Sequence, residues 1–221
     1  MTPEWGVKEL LKWEDEVPRS GPENMAVDQW LLETVRAPIL RVYRWKGEWG
    51  SCGYFVKSID ADAALRGTPW VRRWTGGGIV DHRSDWTYTL AIPRDERLAT
   101  ARGAESYRII HAALATAMNR SGVSLSGHQV ALAGGKCFDA PVEHDLLDSS
   151  GRKLAGAGQR RCRFGLLHQG SVTEAPDSVE IGRFAAAMAE SVKDVELLPD
   201  AVWVDFQIKH RFAQTGWNRR R

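Results

Sequence analysis

The sequence predicts an α/β or α+β domain, and three observations support this prediction. Short runs of residues with strand character alternate with amphipathic helical stretches. The chain has 221 residues, 43% of them hydrophobic, which is enough to bury a sizeable core. No linker-like stretch and no internal repeat divides the chain. We therefore expect residues 1–221 to form a single domain.

The predicted elements follow from the spacing of apolar residues. Helices are expected over about 23–35, over about 101–119 and from about 177, because apolar residues recur there on one face. Pro38 ends the first of these helices. Alternating or continuous apolar runs predict strands at 39–45, 70–74, 79–80, 86–92, 153–156 and 166–172. The C-terminal tail is expected to be partly mobile.

Composition and charge argue against several classes of protein. The net charge is only +2, from 30 Lys and Arg against 28 Asp and Glu, so we expect no nucleic-acid partner. No apolar run approaches the roughly 20 residues of a membrane span, and we expect neither a membrane partner nor a signal peptide. Three cysteines are an odd number, which indicates a reducing cytoplasm rather than a disulfide scaffold. No zinc-binding spacing occurs, so no metal site is expected.

A glycine-rich turn after a basic strand is the first candidate for chemistry. Arg72 and Arg73 are followed by three successive glycines at 76–78. Glycines let the backbone approach a ligand closely and offer N–H donors, so the turn suits a phosphate, a carboxylate or phosphopantetheine. The turn has neither Walker nor dinucleotide-binding spacing. A flexible hairpin with solvated arginines is the alternative.

Three further side chains could take part in a reaction. Cys137 stands in a glycine-rich loop beside Lys136, and a neighbouring cation favours the reactive thiolate. A small buried hydrophobe is the equally weighted alternative for this cysteine. Lys153 enters a strand of small residues, where its cation could hold a carbonyl or phosphate oxygen, or it is a surface lysine at a hairpin. His82, flanked by acidic residues, is interpreted as a supporting residue rather than a catalytic one.

Several segments, in this order, resemble the biotin/lipoate ligase and octanoyltransferase superfamily. Residues 24–28 carry its Asn-x-Ala-x-Asp helix pattern, and 51–54 resemble its Ser-Leu-Gly-x turn. Residues 72–82 are similar to its most specific motif, Arg-Arg-x-x-Gly-Gly-x-x-Val-x-His. Residues 151–160 resemble its lysine strand, and residues 168–172 resemble its His-Gly-Ser segment. Residues 217–218 match its terminal Trp-Asn. Residues 137–141 match the Cys-Phe-x-x-Pro segment of one cysteine-dependent octanoyltransferase branch.

The resemblance implies a mixed β-sheet flanked by helices, with an acyl chain in a tunnel under the glycine-rich turn. It implies Cys137 as the nucleophile and Lys153 as the cation at the acyl carbonyl oxygen. His168 or a water would accept the proton of the acceptor lysine. The tunnel is expected to be lined by Ile79, Leu154 and Leu167. The implied substrate-binding residues are Arg72, Arg73, Gly76, Gly77, Gly78, His82, Ala155, Gly156, His168 and Gly170.

Two branches of this superfamily give different reactions. The main interpretation is a transferase that takes octanoate from octanoyl-acyl carrier protein through a cysteine thioester, with no cofactor. The acceptor would be a lysine of a lipoyl-accepting domain, of the glycine-cleavage H protein or of a 2-oxoacid dehydrogenase. Arg72, Arg73 and Lys136 would form a basic rim for the acidic carrier. The alternative is a lipoate-protein ligase that uses ATP and Mg to form lipoyl-AMP, and a non-catalytic binding module is a third possibility.

Overall fold

The computed structural model describes residues 6–127, 141–173 and 177–220. Helices and strands alternate along most of this part of the chain, and a π-helical turn at Ile208–Phe212 follows α6. The elements are, in order, β1 (Val7–Arg19), α1 (Gly21–Thr34), β2 (Ile39–Trp45), β3 (Gly50–Cys52), α2 (Ser58–Ala64), β4 (Trp70–Arg72), β5 (Ile79–Asp81), β6 (Trp86–Pro93), α3 (Arg97–Thr100), α4 (Gly103–Met118), β7 (Ser124–Leu125), β8 (Leu146–Leu147), β9 (Lys153–Cys162), β10 (Gly165–Val172), α5 (Ser178–Met188), β11 (Ala189–Asp194), α6 (Ala201–Gln207) and α7 (Thr215–Asn218).

The strands form one large sheet and one small sheet. The large sheet has the order β11-β1-β2-β6-β10-β9-β8-β7, and the small sheet has the order β4-β3-β5. β1 pairs in parallel with both β2 and β11, whereas β2, β6, β10 and β9 pair antiparallel in succession. The predicted mixed sheet flanked by helices is therefore confirmed.

Helices cover both faces of the large sheet, as the alternation of its side chains requires. Leu40, Leu90 and Leu166 belong to the apolar cluster that also contains residues of α4 and α5. Their neighbours in the chain, Ile39, Ala91 and Leu167, belong to a separate cluster with residues of α1. The two faces of neighbouring strands thus supply two cores, one on each side of the sheet.

A buried ion network fixes α1 to the sheet. Arg41 of β2 is fully buried and donates to Asp28 (2.6 Å) and Asp15 (2.8 Å). Asp28 also accepts from Gln169 of β10 (2.7 Å) and Thr89 of β6 (2.8 Å). A buried charge requires such partners. The network therefore sets how α1 lies against the strands that carry the site.

The first two helices begin and end within two residues of the predicted bounds, and the third begins one residue after its predicted start but ends at Met188, so that Val192, whose spacing also fits this helix, lies in β11 instead. The first helix starts at Gly21 because Ser20 caps it, with the Glu23 carboxylate accepting from the Ser20 N–H at 2.7 Å. β9 runs on to Cys162, six residues beyond the predicted strand, because it pairs along its length with β10. The edge strand β11 and the long strand β1 were not predicted.

The C-terminal residues are packed rather than loose, contrary to the expected partial mobility. The Trp217 indole donates to the Arg72 carbonyl (2.9 Å), and Asn218 Oδ1 accepts from the Arg72 N–H (2.9 Å). Sequence position alone suggested mobility, but these bonds tie the tail to β4. No helix within the described residues combines the length and apolar character needed to cross a membrane.

Candidate functional site

A cleft lies where the small sheet meets β9 and β10. Its wall is built from glycine backbone, aromatic side chains and a few polar groups. The lining residues are Met25, Tyr43, Trp45, Arg73, Val80, His82, Thr87, Lys153, Gly156, Ala157, Gly158, Gln169, Gly170 and Ser171. Small apolar walls with few polar groups are typical of small-molecule sites.

Lys153, the first residue of β9, contributes a buried cation to this wall. Its Nζ lies 2.7 Å from Asp145 Oδ2, and the two side chains are 1% and 0% exposed. Gly156 makes room for the lysine, since a Cβ at that position would lie 2.5 Å from Lys153 Nζ. The lysine is therefore held inside the protein as an ion pair and not as a surface residue of a hairpin.

Backbone hydrogen bonds hold the glycine-rich turn between β9 and Gly53, the residue that follows β3. The Gly76 N–H donates to the Gln159 carbonyl (3.2 Å), and the Gly53 N–H donates to the Gly78 carbonyl (2.9 Å). Gly77 has a φ of +88°, a left-handed conformation that a side chain would strain. A Cβ at Gly158 would collide with the Gly76 carbonyl, so this close approach of two chain segments needs glycine.

A second chain of bonds reaches the turn from α1. Gln169 Nε2 donates to Asp28, while its Oε1 accepts from the Thr75 hydroxyl at 2.7 Å. Gln169 itself lines the cleft. The ion network under α1 is thereby connected to the residue that precedes Gly76.

His82 cross-links the cleft wall through both ring nitrogens. Its Nδ1 donates to Asp85 Oδ2 (2.7 Å), and its Nε2 shares a 2.6 Å hydrogen bond with the Ser51 hydroxyl. The ring stacks on Trp45 with centroids 4.0 Å apart. Arg73 completes the chain, since its Nη1 donates to Ser51 (2.5 Å) and its Nη2 to the Gly78 carbonyl (2.9 Å). His82 and Arg73 are therefore linked through Ser51, and Arg73 bonds directly to the glycine-rich turn at the Gly78 carbonyl.

Arg72, in contrast, does not line the cleft. Its side chain is fully buried, and its guanidinium donates to carbonyls of the segment that follows β3 and of the C-terminal tail. Burial lowers the pKa of this guanidinium. The acceptors are the carbonyls of Gly53, Tyr54, Val56, Trp217, Asn218 and Arg220. The expectation that Arg72 and Arg73 form an exposed rim is wrong, because both are buried.

His168 lies on the other face of β10, away from the cleft. Its Nε2 donates to the Tyr88 hydroxyl (3.2 Å), and its Nδ1 accepts from Gln159 Nε2 (3.0 Å). Burial and the neighbouring His111 hold the pKa of His168 well below its ordinary value. Its imidazole is therefore neutral and already bonded at both nitrogens.

The expected apolar tunnel residues lie in three separate clusters. Ile79 packs with Cys52 under the small sheet, whereas Leu154 and Leu167 face opposite sides of the large sheet. None of the three lines the cleft, and neither does Ala155. Val80, Lys153 and Gly156, which are neighbours of these residues in the chain, line the cleft instead.

Cys137 and Lys136 lie outside the described residues. Sequence reasoning missed Asp145, Tyr107 and Ser51 as parts of the site. The sequence signal for Asp145 was weak: it is an acidic residue directly before the short strand β8. Within residues 6–127, 141–173 and 177–220, no group of three or more His, Cys, Asp or Glu side chains could hold a metal ion.

Comparisons with known proteins agree on one family. A family model described as the lipoyl protein ligase A/B catalytic domain matches residues 20–202. Octanoyltransferase LipM from Brevibacillus brevis is 32% identical over 169 residues, which cover 67% of this chain and 60% of that relative. The chain thus spans less than two thirds of the length of this curated relative.

Two solved structures have a similar fold. Protein Ta0514 from T. acidophilum has a TM-score of 0.71 at 17% identity, and covers 96% of this chain and 99% of its own. Lipoate-protein ligase A bound with ATP has a TM-score of 0.66 at 17% identity, and the match covers 96% of this chain and 98% of the ligase chain. At these identities the likeness shows the fold alone.

Proposed function

The chain belongs to the lipoyl protein ligase A/B catalytic-domain family, and on this premise we propose that it is an octanoyltransferase of lipoate metabolism. It moves an octanoyl group from acyl carrier protein to a lysine of a lipoyl-accepting domain. The observation that carries the proposal is the buried Lys153 ammonium, fixed at the wall of a cleft beside a glycine-rich turn. The relatives named octanoyltransferase support this choice within the family.

In the first step, the Cys137 thiolate attacks the carbonyl carbon of the octanoyl thioester. A new carbon–sulfur bond forms, the bond to the carrier's sulfur breaks, and the carrier leaves as a thiol with the proton given up by Cys137. The octanoyl group is then held on the enzyme as a thioester of similar energy. No ATP and no metal are needed, because the energy of the donor thioester is kept.

Lys153 supplies the positive charge for this step. The carbonyl oxygen gains negative charge as the thiolate adds, and a preorganised cation in a site away from water stabilises that charge. The ion pair with Asp145 keeps the ammonium in place before substrate arrives. The N–H groups of Gly77 and Gly78 are the further donors that we assign to the same oxygen.

The position of Cys137 in the chain is compatible with this partnership. Val142, five residues after Cys137, donates its N–H to Asp145 Oδ2 at 2.7 Å, the oxygen that also binds Lys153. The short sequence separation between Cys137 and this contact supports the pairing of Cys137 with Lys153.

In the second step, the acceptor lysine attacks the acyl-enzyme. A carbon–nitrogen bond forms, the bond to Cys137 breaks, and the proton lost by the amine returns to the thiolate through water. We assign this relay to water because His168 lies on the far face of β10. The acceptor class is a lipoyl domain of the H-protein or 2-oxoacid dehydrogenase type. A reactive thiol is kept reduced in the cytoplasm, the compartment that we propose.

The test is octanoyl transfer from acyl carrier protein to a lipoyl domain, with and without ATP and Mg. Wild type and Cys162→Ala, which removes a half-buried free cysteine, are expected to transfer without ATP. Cys137→Ala and Lys153→Ala are expected to lose transfer while staying folded. Full ATP-independent transfer by Cys137→Ala would end the covalent mechanism. Transfer only from free lipoate and ATP would instead identify a lipoate-protein ligase, in which Lys153 contacts the adenylate.

A further inference from the structure

Asp145 is a fully buried carboxylate that lies directly behind Lys153. Its Oδ2 accepts from Lys153 Nζ (2.7 Å) and from the Val142 N–H (2.7 Å). Its Oδ1 accepts from the Tyr107 hydroxyl at 2.5 Å. Three donors from three chain segments thus meet on one side chain, and bonds to an ionised acceptor are stronger than neutral ones.

Tyr107 connects this carboxylate to the strand that carries the lysine. Its hydroxyl donates to Asp145 and accepts from the Ala157 N–H at 2.8 Å. Burial and the Asp145 charge raise the pKa of Tyr107 well above its ordinary value, so the phenol keeps the proton that it donates. Helix α4 and strand β9 therefore both fix the carboxylate relative to Lys153.

The backbone of Asp145 is fixed as firmly as its side chain. The Ser126 N–H donates to the Asp145 carbonyl (2.8 Å), and the His144 N–H donates to the Ser126 carbonyl (2.8 Å). His144 has a φ of +68°, which is unfavourable for a residue with a Cβ. Its carbonyl accepts from His111 Nδ1 at 2.8 Å. Neighbouring groups thus hold the chain in an unfavourable conformation that presents Asp145 to Lys153.

We propose that Asp145 is the positioning residue of the reaction, which acts through Lys153. A lysine side chain is flexible, and its ammonium is a point charge without directional preference of its own. The carboxylate, held by Tyr107 and Val142, keeps that ammonium at one place on the cleft wall. This inference rests on the proposed function, in which Lys153 binds the acyl carbonyl oxygen. In the alternative ligase reaction, the same ion pair would hold Lys153 in place against the adenylate.

The test compares four full-length variants: Asp145→Asn, Lys153→Met, the double variant and Asp148→Asn. Asp148 is the matched control, because it lies in the β8–β9 turn and its carboxylate accepts from Ser150 and Arg152, away from the cleft. The measurement is the transfer rate at saturating and at low octanoyl-acyl carrier protein, with a thermal melt of each variant.

Asp145→Asn is expected to lower the rate at saturation by about 100-fold, the effect of displacing a catalytic group by about 1 Å. The half-saturating donor concentration should stay within about threefold, since substrate contacts are not removed. Asp148→Asn should keep the wild-type rate. In the Lys153→Met background, Asp145→Asn should change the residual rate by less than about threefold, because residues that act as a unit are not additive.

Two results would overturn the assignment. One is a folded Asp145→Asn variant with the wild-type transfer rate. The other is a fold-loss in transfer rate on Asp145→Asn that is the same in the wild-type and the Lys153→Met backgrounds. If Asp145→Asn does not fold, Tyr107→Phe leaves the carboxylate in place and removes one donor, with an expected loss of about tenfold that also vanishes without Lys153. A wild type that transfers only with ATP would refute the proposed function. The rates of the same variants relative to wild type, measured in the ATP-dependent reaction, would still test the role of Asp145.

Discussion

Gly156→Ala gives the sharpest test of how the cleft holds its lysine. A Cβ at this position would lie 2.5 Å from Lys153 Nζ and 3.1 Å from Asp145 Oδ1, whereas ordinary contacts begin at 3.4 Å. The ammonium must therefore move by about 1 Å. A displacement of that size costs on the order of 100-fold in rate, or about 2.7 kcal/mol of transition-state stabilisation.

The Gly156→Ala protein should stay folded despite its loss of rate. The new methyl group meets the flexible end of a side chain and not the backbone, and overpacking of this kind costs roughly 1–3 kcal/mol. A domain with a typical 5–15 kcal/mol of stability stays folded. Gly182→Ala in α5 is the control, because its new Cβ would have no atom within 4 Å apart from its chain neighbours and the backbone of its own helix. It should keep the wild-type rate and gain up to about 1 kcal/mol.

The assay is a single-turnover octanoyl transfer, measured beside urea unfolding of each variant. Loss of rate in Gly156→Ala with a folded protein agrees with the reasoning. A Gly156→Ala variant that keeps the wild-type rate would refute it, because the lysine would then tolerate displacement from the position that the structure gives it.

Three further variants test the frame around the cleft. Ser51→Ala removes the hydroxyl bonded to His82 and should lower the free energy of unfolding by about 1–3 kcal/mol in urea titrations, and an unchanged midpoint would contradict this. Arg41→Met leaves Asp28 buried without its cation and should lower the free energy of unfolding by about 3–5 kcal/mol. A free energy of unfolding equal to that of the wild type would show that the buried ion network is dispensable. Burial lowers the pKa of His111 from 6.5 to about 4, so the unfolded state binds its proton first as the pH falls. Stability should decline between pH 6.5 and 4, with up to about 3 kcal/mol from this residue. His111→Asn should remove that part of the slope, and a variant with the wild-type slope would exclude His111 as its source.

The sequence predicted the architecture because its periodic segments are long and well bounded. Ile39–Trp45 was predicted to the residue, since its alternation matches a strand that ends in turn residues. β1 was missed because its charged residues obscure the pattern, and it is stabilised by pairing with β2 and β11, which are distant in the chain. Such non-local pairing cannot be deduced from local periodicity.

The sequence drew attention to candidate site residues where a residue type has a distinctive chemical use. Lys153 and the glycines at 76–78 were singled out because a lysine among small residues and three successive glycines are unusual, and the structure places the lysine in β9 and the glycine-rich turn against that strand. Arg72 and Arg73 look identical in the sequence, yet one holds the C-terminal tail and the other faces the cleft. Their difference arises from strand alternation and from Asn218, which lies 146 positions away from Arg72.

In the proposed reaction, Cys137 carries the octanoyl group from the donor to the acceptor lysine. The most direct test of this claim is the intact mass of the protein after mixing with octanoyl-acyl carrier protein and no ATP, with Cys137→Ala alongside. The wild type alone should carry an octanoyl adduct, and hydroxylamine should remove it as it removes thioesters. An absence of adduct on the wild type, together with ATP-dependent labelling of a lipoyl domain by free acid, would contradict the claim and identify a ligase.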